Sequence, residues 1–185
     1  MINVEQAVAL ATWYNMTMNI IMRNSYNNME NIIKEVFCMG NEYDMKKDKG
    51  PYPYALNVWK TAVQNRNYRT TIWTGCNLQM TVMSIPPRSD VGSEVHKDND
   101  QYIRVEQGNA LVKMKSSKSE NCERREYEQT LCAGDAVFVP AGTRHNIINI
   151  GRNDLKLSSI YAPPHHKPGT VHRTKKDAEN EEYLD

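Results

Sequence analysis

The chain has 185 residues, with 23 Lys+Arg against 22 Asp+Glu and a net charge of +1. That balance excludes the strongly basic surface by which a protein holds nucleic acid or an anionic membrane through charge alone. The length suits one domain with an appendage and a core that needs no disulfides. The four cysteines (Cys38, Cys76, Cys122 and Cys132) have no paired spacing and read as reduced thiols.

In chain order, residues 3–23 are expected to be helical, with Ala7, Leu10, Tyr14, Met18 and Ile21 on one face. A second helix is expected over 28–38, on a stripe of Met29, Ile32, Ile33, Val36 and Phe37. Seven of the ten methionines lie in residues 1–45 and fall on these stripes, so they read as adaptable packing groups rather than metal ligands. Such a helical hairpin must cover the outside of the following domain or a second subunit. No segment reads as a membrane span, and the start Met1-Ile-Asn-Val-Glu-Gln lacks the basic region of a signal peptide. A cytoplasmic protein is therefore expected.

Residues 41–53 are charged and contain Gly50-Pro51 and Pro53, the pattern of a linker. Tyr54–Trp59 is expected as a short strand and Lys60–Asn65 as a helical turn. From Arg69 the pattern becomes β. Thr70–Trp73, Leu78–Ile85, Ser93–His96, Gln101–Glu106 and Ala110–Met114 are successive strands, separated by Gly, Pro and Asp turns. Residues 115–128 read as a solvated loop ending near a strand. Ala136–Val139 and Leu155–Tyr161 add two further strands, and the charged tail from Lys175 to Asp185 is expected to fray. No internal repeat is present.

Two stretches carry the chemistry. Between Gly134 and Asn149 the spacing is Gly, five residues, Pro-x-Gly, two residues, His145, three residues, Asn. Upstream, Glu94-x-His96 is followed by four residues, Gln101, six residues and Gly108. The later stretch is similar to the second signature of the cupin superfamily. The earlier one resembles its first signature, His-x-His, four residues, Glu, six residues, Gly, with Glu94 at the first His position and Gln101 at the Glu position. Asn67 to about Ala178 further resembles small single-domain prokaryotic cupins labelled mannose-6-phosphate-isomerase-like, through Tyr-Arg-Thr-Thr-Ile-Trp-Thr-Gly (68–75) and Tyr-Ala-Pro-Pro-His-His-Lys-Pro-Gly-Thr-Val-His (161–172).

The resemblance implies a mainly β fold, a double-stranded β-helix or jelly-roll barrel, over 51–178. An N-terminal helical extension (1–50) and a charged tail (179–185) flank it. It implies one divalent metal ion, iron, manganese, nickel or zinc, on Glu94, His96, Gln101 and His145. The neutral amide of Gln101 is expected to bind loosely, or to meet substrate or water instead. Glu94, if free, and Tyr161 are the candidate catalytic residues, and His165, His166 and His172 are candidates for the barrel mouth. Arg104 and Arg144 are out of phase with the ligands and should face outward.

Three functions remain open at this level: a metal-dependent isomerase of a sugar or sugar phosphate, a non-catalytic binder of a small molecule, and an iron-dependent oxygenase. The expected partners are a small ligand, for instance a carbohydrate, and a second copy in a homodimer, with no nucleic acid and no membrane. Beyond Arg88, Lys97 and Arg144 no Lys/Arg cluster is evident near the signatures, which counts against a phosphorylated substrate.

Overall fold

The computed structural model of the chain describes residues 47–115 and 126–182. The two predicted N-terminal helices and most of the 115–128 loop lie outside that range. The described residues form α1 (Val58–Gln64), β1 (Arg69–Thr74), β2 (Gln79–Ile85), β3 (Asp100–Gln107), β4 (Asn109–Lys115), β5 (Glu126–Cys132), β6 (Ala136–Val139), β7 (Arg144–Asn149), β8 (Leu155–Ala162), β9 (Val171–His172) and α2 (Lys175–Glu182). One antiparallel sheet has the order β6-β3-β8-β2-β1-β9 and the other β5-β4-β7. The fold is the jelly roll expected from the sequence. Among the described residues, no helix is long and apolar enough to cross a membrane.

The two sheets enclose the main core. Alternate residues of each strand supply it: Met83 and Ile85, Ile103 and Val105, Ala110 and Val112, Ile147, Leu155 and Leu157 are all buried. β2 is buried along its whole length. Its inner face looks into the barrel, and its outer face, at Met80 and Val82, lies under Ala62 of α1. Gly108 takes φ +95° at the β3–β4 bend, and a Cβ there would come within 3.3 Å of the Leu155 backbone. The glycine of the first signature is thus set by a left-handed turn packed against β8.

Three expectations are corrected. Tyr54–Trp59 is not a strand, because Asn57 caps a helix there: its Oδ1 accepts the Lys60 N–H at 2.9 Å. Ser93–His96 forms no ladder, only a single antiparallel bridge between Glu94 and His145. The tail does not fray over 175–182. α2 forms there, with Thr174 accepting from the Asp177 N–H and Asp177 accepting from the Thr174 N–H. Ala178 is buried in the main core and Lys175 pairs with Asp90. The linker is also anchored: Asp48 accepts from the Gly50 and Thr74 N–H groups and from the Thr74 hydroxyl.

Leu157 is 1% exposed between the sheets. Leu157→Ala is expected to cost about 2–5 kcal/mol, through lost transfer energy and a residual cavity. The shift in urea midpoint, with unchanged slope, measures it.

Candidate metal centre

The bridge between Glu94 and His145 builds the centre. Each N–H donates to the other residue's carbonyl, at 2.9 and 3.0 Å, which fixes two backbones 51 residues apart in sequence side by side. His96 lies two residues after Glu94, so alternation brings it to the same side. Its carbonyl accepts the Gly142 N–H at 2.7 Å. Gly142 has φ +74°, which the turn before β7 requires. The Pro-x-Gly of the second signature therefore holds the first signature's histidine in place.

Three side-chain atoms converge. His96 Nε2 lies 3.4 Å and His145 Nε2 3.9 Å from Glu94 Oε2. All three atoms are buried and have no hydrogen-bond partner, and the three residues offer ligand atoms within 4.8 Å of one another. Ligands at about 2.0–2.2 Å from one metal ion lie about 3–4 Å apart, so the spacing fits a divalent ion. The supporting bonds fit as well. His145 Nδ1 lies 3.1 Å from the Thr143 carbonyl, which makes Nδ1 the protonated nitrogen and leaves the Nε2 lone pair facing the centre. Two imidazoles and a carboxylate suit iron, manganese, nickel or zinc.

Electrostatics keep the ligands in their binding states. Burial works to raise the Glu94 carboxyl, but His96 beside it and the Arg69 charge outweigh that and hold it at about 2. The Arg69 Nη2 donates to Glu94 Oε1 at 2.9 Å, and these side chains are only 1% and 8% exposed. Burial lowers the His145 pKa, against the Thr143 carbonyl and Glu94, which favours the neutral imidazole a metal needs. Glu94 therefore stands ionised, with one oxygen held by Arg69 and the other facing the two imidazoles.

Around the triad stands a ring of imidazoles and a phenol. Tyr161, on β8, is fully buried and meets the His96 ring edge-on at 5.5 Å. His165 packs on His96 with centroids 4.2 Å apart, and His166 meets Tyr161 at 5.1 Å. Burial, then the neighbouring His96 charge, lowers His165 to about 4; burial, then the Arg69 charge, lowers His166 to about 2. His165 and His166 thus reach the site as neutral rings. His172, on β9, is instead buried across from Arg69. Gln101 lies inside the barrel, paired with Tyr161 across β3 and β8. Its Nε2 donates to Ser159 Oγ at 2.9 Å, while its Oε1 is buried without a partner. Arg144 is exposed, and Arg104 pairs with Glu106, in keeping with their outward phase.

Sequence reasoning missed two residues. Arg69 lies just outside the predicted Thr70–Trp73 strand, and the structure makes it the first residue of β1, paired with Glu94. Gln79 holds the segment after β8: its Oε1 accepts the His165 and His166 N–H groups at 3.2 and 2.8 Å, and its Nε2 donates to the His166 carbonyl at 2.7 Å. No local pattern marks that role, because its partners lie 86 and 87 residues away.

Residues 81–161 match the cupin domain family. The chain is 48% identical over 133 residues to the uncharacterized protein YrkC of Bacillus subtilis (strain 168), covering 71% of this chain and 69% of that one. It is 38% identical over 119 residues to the uncharacterized protein L612 of Acanthamoeba polyphaga mimivirus, covering 64% and 70%. The crystal structure of BH2720 from Bacillus halodurans shares 42% identity, with a TM-score of 0.66 over 72% of this chain and 98% of that chain.

Arg69→Met removes the partner of a buried carboxylate while keeping most of the side-chain volume. It is expected to destabilise the metal-free protein by about 3–5 kcal/mol, measured by urea denaturation. The double variant Arg69→Met/Glu94→Gln, which also removes the stranded charge, should regain much of that loss.

Proposed function

The chain belongs to the cupin family, and on that premise we propose a metal-dependent enzyme that shifts a proton within a small, oxygen-rich molecule, as an isomerase does. The reading rests on one observation: three buried ligand atoms of Glu94, His96 and His145 converge without hydrogen-bond partners. A divalent ion held there would supply Lewis-acid polarisation of a carbonyl or hydroxyl oxygen.

The residues around the triad give the proton chemistry. His165 touches His96 and keeps part of its ring exposed, so its neutral imidazole can take a proton from a bound molecule and pass it to water. Tyr161 touches His96, His165 and His166, where its phenol can orient or donate to a substrate oxygen. Residues 163–166 stay over the site through Gln79 and through Asn99, whose Nδ2 donates to the Pro163 carbonyl at 2.6 Å. A phosphorylated sugar is the weaker substrate, because Arg144 is exposed and Arg69 already serves Glu94.

A second reading, an iron-dependent oxygenase, is favoured by the two-histidine, one-carboxylate ligand set itself. Two measurements separate these readings. Protein purified without chelator is expected to carry near-stoichiometric divalent metal, lost in His145→Ala, by elemental analysis. Incubated in D2O with a panel of hydroxy-carbonyl compounds, the loaded protein is expected to place deuterium on a carbon of the substrate without oxygen uptake. Oxygen uptake with iron alone would instead establish the oxygenase. Ligand-induced thermal stabilisation without either reaction would make the protein a binder.

A further inference from the structure

The convergent triad leaves a charge unsettled and several polar atoms unexplained. Arg69 and Glu94 are a buried pair of opposite sign, so they cancel. The imidazoles that would bind metal add no charge in their neutral form. A divalent ion therefore enters this site with both of its charges uncompensated by the triad and its arginine. A buried net charge of that size is stable only beside a counter-charge.

Three of the unexplained atoms stand on strands of one sheet. Arg69 Nε, Thr81 Oγ1 and Gln101 Oε1 are buried without hydrogen-bond partners, although buried polar groups are normally satisfied. They belong to neighbouring strands of the larger sheet. Thr81 on β2 lies opposite Ser159 on β8, and Ser159 accepts from Gln101 on β3. Arg69 on β1 lies opposite Met83, one inward position from Thr81, so Arg69 and Thr81 are diagonal neighbours on one face. Such neighbours have Cβ atoms about 7 Å apart, a gap that a small planar group can span. The two unpartnered atoms flanking the gap, a guanidinium N–H and a hydroxyl, are both donors. The same guanidinium touches the triad through Glu94.

We propose that this inner wall seats the carboxylate of a small hydroxy or oxo acid, held by Arg69 Nε and Thr81 Oγ1, with the acid's adjacent oxygen directed to the metal. The inference rests on the metal-site reading and names the substrate class for it. The carboxylate supplies one of the two missing negative charges and satisfies the two stranded donors at once. Ser159 and Gln101 form the neutral part of the wall, where the Gln101 oxygen accepts from a hydroxyl of the bound acid.

The test uses full-length protein loaded with its metal, with metal content measured first and binding read by calorimetry and thermal shift. The probes are two matched pairs, glycolate with glycolamide and lactate with lactamide, which differ in charge but hardly in shape. At least one acid is expected to bind about 10- to 100-fold more tightly than its amide. Thr81→Val, which keeps shape and removes the hydroxyl, should weaken acid binding about tenfold while leaving metal content unchanged. Ser159→Ala serves as the second wall variant should Thr81→Val not fold, and it should weaken acid binding without loss of metal. Acid and amide binding equally, or neither acid binding to loaded protein, overturns the carboxylate seat alone. Unchanged acid binding in the folded wall variant overturns it as well. Failure to take up metal after reconstitution overturns the metal-site reading, and this inference with it.

Discussion

Everything in the site depends on one buried ion pair. Arg69 and Glu94 meet at 2.9 Å on side chains almost wholly removed from water. A lone carboxylate there would take up a proton and lose its value as a ligand. With the guanidinium on one oxygen, it stays ionised and presents the other to His96 and His145. The pair also ties β1 to the segment before β3, and so joins the larger sheet to the stretch that bridges β7. One interaction thus maintains charge, ligand direction and strand placement together.

The backbone does comparable work. Glu94 and His145 exchange their N–H and carbonyl groups, and Gly142 bonds the His96 carbonyl. The ligand positions are fixed by peptide groups before any side chain is considered. The spacing within each signature thus decides which side chains are brought together. With the frame fixed, Glu94 can stand where the family pattern has histidine, and Gln101 where it has glutamate, without displacing their neighbours.

The same distinction explains what the sequence revealed. A sandwich or barrel of short strands was legible, because period-two alternation and turn residues are local signals, whereas the jelly roll and the inward His145 came from the resemblance of the two signatures. Glu94 and His96 were legible through their spacing to Gly108. Arg69 was not, because its significance comes from a carboxylate 25 residues away. Gln79 was hidden for the same reason, at a longer range. The errors were also local in origin. Tyr54–Trp59 has strand-like composition, yet the Asn57 cap decides for helix. The charged tail has little apolar content, yet Ala178 and the Lys175–Asp90 pair fasten it to the barrel.

The manner in which Gln79 holds the segment after β8 has an evolutionary consequence. Three of its hydrogen bonds go to backbone groups of His165 and His166, and Asn99 likewise donates to a backbone carbonyl. None of these bonds reads the identity of the side chains they position. Residues 165 and 166 are therefore free to drift while the path of the chain over the metal centre stays the same. The side chains beside the candidate centre can therefore be exchanged one at a time while Gln79 and Asn99 keep the backbone in place.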